Sequence, residues 1–241
     1  MVEPLAAAGY RVMAVDLPGF GYSDKPGGYS LESYVAFVRA WLDLHCIERA
    51  AIVGNSMGGA IAAAVAGLAP ERTGALVLVD PGGFGREVTW ALRLAGLRLV
   101  RSALNLRLTP RRVRHALRFV YADSSLIDDE EVARIVELSE LPGSRQAFLE
   151  IAHKAIGFRG LRDGLGLGDI PAEITAPALV VWGDRDRVIP VSHAERAHQA
   201  IPGSQLVIFD NCGHCPQLEV PERFARTVID FLHRTFPPDQ D

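Results

Sequence analysis

The sequence predicts an α/β fold with a doubly wound, mostly parallel sheet, and three observations support this prediction. Short runs rich in Val, Ile and Leu alternate with segments of helical periodicity, first in residues 1–82 and again in residues 171–241. These runs are apolar throughout, as expected of parallel strands that are buried on both faces. Polar or glycine-containing turns follow several of them. Alternation of this kind is typical of doubly wound sheets.

The apolar runs are the predicted strands, and amphipathic segments between them are the predicted helices. The strands are expected at residues 11–17, 50–54, 75–80, 177–183 and 205–210. Helices of this core are expected at about 31–44, 60–69, 192–201 and 221–236. Ser30 is a favoured N-cap residue for the first of these helices, and Ser33 follows three residues later.

Residues 83–170 interrupt the alternation, and we predict that they form an inserted helical cap. No convincing strand appears in this stretch, whereas Thr109-Pro110 is typical of a helix start and amphipathic segments follow at about 128–141 and 144–156. The predicted domains are therefore a core of residues 1–82 and 171–241 and a cap of residues 83–170. The first half of the cap is rich in arginine, at positions 86, 93, 98, 101, 107, 111, 112, 114 and 118. A solvated helix face explains these arginines, and a cap cation for an acidic substrate is the alternative.

Composition excludes several classes of function. The chain has 241 residues and a net charge of −4, so its overall charge does not favour binding to nucleic acid or to an anionic membrane. The longest apolar run, residues 60–69, is too short to span a bilayer, and the first residues lack the features of a signal peptide. The 3 cysteines cannot form a disulfide framework. These features favour a cytoplasmic protein, and they are compatible with a homodimer.

The segment Gly54-Asn55-Ser56-Met57-Gly58 carries the strongest functional signal. It matches G-x-S-x-G between a predicted strand and a predicted helix, where this motif holds a nucleophilic serine on a sharp turn. We expect a side chain at either glycine to collide with the neighbouring strand or helix. The Met57 N–H, in the first turn of the helix, would face a developing oxyanion. A glycine-rich turn that only connects strand to helix is the alternative.

Loops after the last two predicted strands contain partners for such a serine. A serine hydroxyl needs a base within hydrogen-bond reach and a carboxylate that orients the base. The loop at residues 183–190 contains Asp184 and Asp186, and the loop after the last strand contains His214. The carboxyl ends of parallel strands share one edge of the sheet, so residues distant in sequence can meet there. The order serine, acid, histidine is the one expected for this motif.

The remaining histidines and the cysteine pair have simpler interpretations. His193 and His198 stand at helical spacing and are expected at the surface. Cys212 and Cys215 form a C-x-x-C that matches a thiol–disulfide site, but the motif closes a long sheet instead of opening a helix in a thioredoxin-like unit. We therefore predict structural or incidental cysteines. No second Cys/His pair follows at zinc spacing, and neither a metal nor an organic cofactor is expected.

Four motifs in this order resemble those of the α/β-hydrolase superfamily along nearly the whole chain. They are the loop at residues 16–24, the serine turn at 54–59, the acid loop at 183–190 and the histidine loop at 213–219. The resemblance implies that Asp186 is the acid of a catalytic triad with Ser56 and His214. Asp184 and Asp80 are the alternatives, the latter because some relatives place the acid after an earlier strand.

The resemblance also implies a hydrolytic reaction. Ser56 argues against the relatives that use aspartate as nucleophile, the haloalkane dehalogenases and epoxide hydrolases. Asn55 and residues 82–85 are similar to the meta-cleavage product hydrolases, which cleave carbon–carbon bonds in vinylogous diketo acids. Cys215 departs from that group, which usually has an aromatic residue after the histidine. The expected substrate is therefore a carboxylic ester, a lactone or a compound with a vinylogous C–C bond. The alternative is a non-catalytic protein of this fold that binds a small ligand.

The beginning of the chain departs from the family pattern, and the resemblance implies an N-terminal truncation. Relatives have further strands before the helix that here starts near Met1, and one of those strands ends in His-Gly and supplies a second oxyanion N–H. We expect the absent strand to leave residues 11–17 and 50–54 roughly 9–10 Å apart, because adjacent strands lie about 4.8 Å apart. Direct pairing of the two segments is the alternative.

Overall fold

A four-stranded parallel sheet forms the centre of the computed structural model, which describes residues 1–87, 107–157, 160–161 and 167–238. The strands of this sheet are β1 (Ala50–Asn55), β2 (Thr73–Val79), β5 (Ala178–Gly183) and β6 (Gln205–Phe209). Their spatial order is β1-β2-β5-β6, and each described pair of neighbours runs parallel. Four of the predicted strands are therefore confirmed, with ends that shift by one or two residues.

Helices connect these strands and flank the sheet. They are α1 (Val2–Ala7), α2 (Leu31–Leu44), α3 (Met57–Leu68), α4 (Pro110–Val120), α5 (Asp129–Glu140), α6 (Ser144–Ala155), α7 (Ser192–Ala200), α8 (Pro216–Glu219) and α9 (Pro221–Thr235). The predicted capping of α2 is confirmed, because the Ser30 side chain accepts the Ser33 N–H and the Ser33 side chain accepts the Ser30 N–H. Of the helices that the structure describes, none is long and apolar enough to cross a membrane.

Strand β2 shows how the sheet buries both of its faces. All 7 of its residues are buried, and alternate side chains of a strand point to opposite faces. Leu76 and Leu78 belong to an apolar cluster that includes residues of α2, α3 and α7. Val77 and Val79 belong to a second cluster that includes residues of α1 and α9. The sheet therefore separates two hydrophobic cores, as a doubly wound fold requires.

The predicted strand at residues 11–17 is wrong. None of these residues is buried, and no ladder joins them to β1. Strand β1 pairs with β2 alone among the described strands, and its Val53 side chain is 44% exposed. A strand needs a neighbouring strand for its backbone hydrogen bonds as well as apolar side chains. The apolar composition of this segment did not show whether such a neighbour is present. Val12 and Leu17 pack partly against the two cores without forming a strand.

Helices α4, α5 and α6 lie between β2 and β5 in sequence. Helices α4 and α5 share a small apolar cluster of their own, which contains Val113, Leu117, Tyr121, Ile127 and Val132. Ala147 and Ile151 of α6 pack instead against the core of the sheet. Two short strands, β3 (Ile156–Gly157) and β4 (Gly160–Leu161), pair in antiparallel orientation, which the sequence did not indicate. Predicted cap residues 93, 98 and 101 lie outside the described residues, and the domain boundaries stay a prediction.

Candidate active site

Ser56 occupies the sharp turn between β1 and α3, where β1 ends. Its backbone has φ 56° and ψ −118°, in the positive-φ region that a non-glycine residue rarely adopts. The Ser56 N–H donates to the Val79 carbonyl at 2.9 Å, and its carbonyl accepts the N–H groups of Gly59 and Gly82, each at 3.0 Å. These bonds to β2 and to the following helix and loop fix the strained backbone at the carboxyl end of the sheet.

The glycines around this turn differ in what surrounds them. A Cβ on Gly54 would overlap the Gly58 carbonyl, and one on Gly59 would lie 2.7 Å from Pro81 Cβ. A Cβ on Gly58 would meet open space. The expected collision is therefore correct for Gly54 and wrong for Gly58. Gly59, not Gly58, faces the chain that leaves β2, so the close approach of α3 depends on a glycine one residue further along.

Met57 opens α3 immediately after Ser56. The first N–H groups of a helix have no intrahelical acceptor, and the helix dipole adds partial positive charge at this end. Met57 is also one of the residues that line a small cavity, together with Tyr29, Tyr34, Ile151 and Lys154. A mainly apolar cavity therefore lies beside the expected oxyanion donor.

Asp186 and His214 form a buried hydrogen-bonded pair. His214 Nδ1 donates to Asp186 Oδ2 at 2.7 Å, and the exposed fractions of the two side chains are 7% and 0%. Asp186 Oδ1 accepts the N–H groups of Val188 at 2.7 Å and Ile189 at 3.0 Å. These three hydrogen bonds fix the orientation of the Asp186 carboxylate. The pair holds Nδ1 as the protonated ring nitrogen, which leaves Nε2 of His214 as the basic atom.

Asp184, the alternative acid in the same loop, has a different partner. Its Oδ1 accepts the Cys212 N–H at 3.1 Å, and its own N–H donates to the Phe209 carbonyl at 3.0 Å. These bonds join the ends of β5 and β6. Of the two carboxylates in the loop, Asp186 is the one that meets His214.

Asn55 connects the serine turn to the histidine loop. Its Nδ2 donates to the carbonyls of Val79 and His214, each at 3.0 Å. The His214 N–H donates in turn to the Val120 carbonyl at the end of α4, at 2.8 Å. The structure thus brings all three predicted triad residues to one edge of the sheet. Within the described residues, a hydrogen bond joins Asp186 to His214 but none joins Ser56 Oγ to His214, and such bonds often tighten only when substrate binds.

Glu219 holds the histidine loop, a role that the sequence analysis missed. Its side chain is buried and accepts the Gly213 N–H at 3.0 Å, the Cys215 N–H at 3.2 Å and the Ala122 N–H at 2.7 Å. Backbone groups from the histidine loop and from the chain after α4 therefore share one carboxylate. The signal in the sequence was an acidic residue five positions after the histidine, but nothing in the spacing indicated Ala122 as a partner.

The two cysteines of the C-x-x-C are free thiols in this site. Burial raises the pKa of both, and nearby carboxylates raise it further; the pKa of Cys215 reaches about 12. Thiol–disulfide exchange requires the thiolate, which a lowered pKa favours. Their environment therefore supports structural cysteines over a redox pair.

Asp80 lies against the Asp186–His214 pair. It is 0% exposed, its Oδ1 accepts the Gly183 N–H at 2.9 Å, and facing atoms of Asp80, Asp186 and His214 all lie within 4.8 Å of one another. Such spacing alone would suit a metal ion. Asp186 already accepts three hydrogen bonds and His214 Nδ1 is one of their donors, so the group fits a chain of hydrogen-bonded side chains better than a metal site.

His193, expected at the surface, is buried. Its exposed fraction is 0%, its Nε2 lies 3.0 Å from Glu87 Oε2, and its ring packs at the edge of Trp182. Glu87 also forms an ion pair at 2.8 Å with Arg196, which lies in the same helix as His193. Burial lowers the pKa of His193. Helix α7 turns this histidine toward the core together with Ala197, four residues later, and that periodicity was the available signal.

Comparisons with known proteins agree with this architecture. A family model for the alpha/beta hydrolase fold matches residues 1–221. The 2-hydroxy-6-oxononadienedioate/2-hydroxy-6-oxononatrienedioate hydrolase of Cupriavidus pinatubonensis is 38% identical over 233 residues, which cover 96% of this chain and 79% of that protein. The 2-hydroxy-6-oxo-6-phenylhexa-2,4-dienoate hydrolase of Burkholderia cepacia is 34% identical over 235 residues, with 96% and 80% covered.

Solved structures give the same result. A meta-cleavage product hydrolase from Pseudomonas fluorescens IP01 superimposes with a TM-score of 0.80 at 29% identity, and the match covers 97% of this chain and 84% of that one. A 2-hydroxy-6-oxo-6-phenylhexa-2,4-dienoate hydrolase from Rhodococcus sp. strain RHA1 gives a TM-score of 0.77 at 25% identity, with 96% and 83% covered. The chain is therefore a hydrolase that belongs to the α/β-hydrolase fold family and resembles its C–C bond hydrolases.

Proposed function

We propose that this hydrolase cleaves a small-molecule substrate through a triad of Ser56, Asp186 and His214. The observation that carries the proposal is the buried 2.7 Å hydrogen bond between Asp186 and His214, beside the strained turn that carries Ser56. Asn55, the residue before the serine, donates to the His214 carbonyl and thereby keeps the two loops together.

The roles of the three residues follow from their hydrogen bonds. His214 Nε2 accepts the Ser56 proton as Oγ attacks the substrate carbonyl, while Asp186 holds the proton on Nδ1 and stabilises the imidazolium. The Met57 N–H donates to the oxyanion that forms on the carbonyl oxygen. His214 then returns the proton to the leaving group, and a water molecule activated by the same histidine hydrolyses the acyl-enzyme.

The substrate class that the comparisons favour is a vinylogous dienoate cleaved at a C–C bond. The relatives from Cupriavidus pinatubonensis and Burkholderia cepacia are named for dienedioate and dienoate substrates. Lys154, which lines the small cavity next to Met57, is the candidate cation for a substrate carboxylate. Lys154 also pairs with Glu150 at 2.9 Å and donates to the Tyr29 carbonyl at 2.9 Å, so its ammonium group is held at this wall. Carboxylic esters and lactones are the alternative substrates for the same triad.

We also propose that residues 83–170 act as a cap over this site. The end of α4 supplies the Val120 carbonyl to the His214 N–H, and the Arg118 carbonyl accepts from Arg187 at 3.3 Å. Glu150 of α6 accepts the Gly28 N–H at 3.0 Å. These contacts support a position of the inserted helices at the carboxyl edge of the sheet, where they would exclude water from the serine.

Replacement of the serine tests the triad. Ser56→Ala is expected to lower kcat by roughly 10³–10⁶ while substrate still binds, because the nucleophile is lost and the pocket is not. The assay compares a ring-cleavage dienoate, short- and medium-chain aryl esters and lactones, and dissociation constants are measured by calorimetry.

Ser125→Ala, an exposed serine of the insertion, is the matched control and is expected to leave kcat unchanged. The proposal is wrong if Ser56→Ala retains activity or is still labelled by a serine-directed phosphonate. Binding of these compounds by the wild-type protein without hydrolysis of any of them would favour a ligand-binding protein instead.

A further inference from the structure

Asp80 has an environment that its place at the end of β2 does not explain. It is fully buried with a positive φ of 43°, a backbone conformation that is strained for aspartate. Its Oδ1 accepts the Gly183 N–H at 2.9 Å. Its Oδ2 is buried, and among the described residues no N–H or O–H donor reaches it. A buried carboxylate oxygen without a donor is costly in free energy if the group is ionised.

The carboxylate of Asp186 faces that of Asp80, and the facing oxygen atoms of the two side chains lie within 4.8 Å of each other. Asp186 accepts from the N–H groups of Val188 and Ile189 and from His214, so both of its oxygens already have donors. Asp80 has a single donor for its two oxygens. Two carboxylates in contact inside a protein cannot both ionise cheaply, and the proton remains on the one with fewer donors.

Other titratable groups near Asp80 add to this preference. Burial raises the pKa of Asp80 well above its usual value, the charge of Asp186 raises it further, and Glu219 acts in the same direction. Cys212 and Cys215 are the nearby thiols, and their raised pKa values keep them neutral. His214 is the remaining titratable neighbour, and its Nδ1 proton is already donated to Asp186.

We infer that Asp80 is a positioning residue that keeps its proton on Oδ2 and donates it to the Asp186 carboxylate. This inference rests on the proposed triad for its effect on activity. With that bond, Asp186 accepts four hydrogen bonds, which fill the acceptor sites of a carboxylate. Asp80 would then hold the Asp186 carboxylate on one side while the backbone N–H groups of Val188 and Ile189 hold it on the other, so its orientation toward His214 Nδ1 is fixed.

The hydrogen-bond pattern predicts which substitution preserves the function. An asparagine side chain can accept the Gly183 N–H through its oxygen and donate to Asp186 through its amide nitrogen, as the protonated acid does. Asp80→Asn is therefore expected to retain kcat/KM within about threefold and to leave the acidic limb of the pH profile in place. Asp80→Ala removes the donor, and we expect kcat to fall by about tenfold or more with a shifted acidic limb.

Asp186→Asn is the reference for loss of the triad acid. If Asp80→Asn loses as much activity as Asp186→Asn, or shifts the acidic limb by a pH unit or more, Asp80 is ionised in the native protein and the inference is wrong. If Asp80→Ala has the kcat and pH profile of the wild type, Asp80 does not position Asp186, which also overturns the inference.

A stability measurement tests the proton on Asp80 without any substrate. A carboxyl group that stays protonated in the folded state must bind a proton on folding once the pH exceeds about 4, the usual pKa of aspartate. The contribution of the Asp80 carboxyl group to the free energy of unfolding is complete below about pH 4. It is lost as the pH rises from there toward the raised pKa of Asp80 in the folded state. The unfolding equilibrium constant of the wild type, divided by that of Asp80→Asn, should therefore increase by up to tenfold per pH unit above pH 4.

Urea unfolding of the two proteins between pH 4 and pH 8 gives this ratio. A ratio that is constant with pH means that Asp80 has the same protonation in both states and overturns the inference. This outcome is independent of catalysis, so it is distinguishable from a failure of the proposed triad, which Ser56→Ala reveals.

Discussion

Gly54 and Gly58 belong to the same five-residue motif, yet the structure gives them opposite surroundings. Gly54→Ala is expected to destabilise the protein by about 3 kcal/mol or more, because the added Cβ would overlap the backbone carbonyl of Gly58 and neither backbone can move freely. Gly58→Ala is expected to be neutral or to stabilise by up to about 1 kcal/mol, since its Cβ meets open space inside a helix. Urea unfolding measures both values, and similar losses in the two variants would contradict the prediction.

Some contacts of the candidate site were predictable from single residues in the sequence, and others were not. The order of Ser56, Asp186 and His214, each after a predicted strand, was sufficient to bring them to one sheet edge, and the hydrogen bond between the last two agrees with it. The surroundings of Asp80 and the bond between Glu219 and Ala122 were not predictable, because these partners are distant in the chain. Gly183 meets Asp80 across 103 positions, and Ala122 meets Glu219 across 97.

Secondary-structure elements were predictable where local chemistry and tertiary packing agree. The Ser30–Ser33 capping box and the apolar strand β2 satisfy both conditions. Helix α3 begins at Met57 and not near residue 60, because the Ser56 carbonyl accepts the N–H groups of Gly59 and Ala60 and extends the helix through glycines of low propensity. The strand prediction for residues 11–17 was wrong because local chemistry and tertiary packing disagree there. The segment is apolar, but no described strand pairs with it.

The carboxylate of Glu219 holds the histidine loop through several backbone N–H groups. We therefore expect that its replacement by an amide lowers both stability and activity. Glu219→Gln replaces an acceptor oxygen by an amide group that would face the backbone N–H groups of Gly213, Cys215 or Ala122. We expect a loss of about 2–3 kcal/mol in the free energy of unfolding, because a hydrogen-bonded charge is removed and buried donors lose their acceptor. We also expect a lower kcat, because the loop positions His214.

Glu222→Gln is the control for this change, since Glu222 is an exposed residue in the first turn of α9. Its replacement should cost no more than about 0.3–1 kcal/mol, the size of a helix-dipole interaction. The prediction fails if the two variants have equal free energies of unfolding in urea and equal kcat.

On the scale of the whole molecule, the candidate site lies where the carboxyl edge of the sheet meets the end of α4. The serine turn and Asp186 depend on the two large cores that flank the sheet, whereas the Val120 carbonyl that holds the His214 N–H belongs to α4. Within the part of the chain that the structure describes, helices α4 and α5 share a separate cluster of five buried residues. Stability is therefore expected to be uneven, with the lower local stability on the side that contacts the histidine loop.

Hydrogen exchange tests this division of the molecule. Leu117→Ala removes a buried side chain from the cluster of α4 and α5, and it should lower the free energy of local opening of these helices by about 2–5 kcal/mol. Amides of α4 and α5 should then exchange faster, while those of β2 and β5 keep their protection.

Leu78→Ala, in the core of the sheet, is the matched control and should accelerate exchange throughout the chain, because β2 opens only with global unfolding. If Leu117→Ala accelerates exchange in β2 and β5 as much as in α4, the inserted helices and the sheet unfold as one unit, and the proposed cap is not a separately moving part.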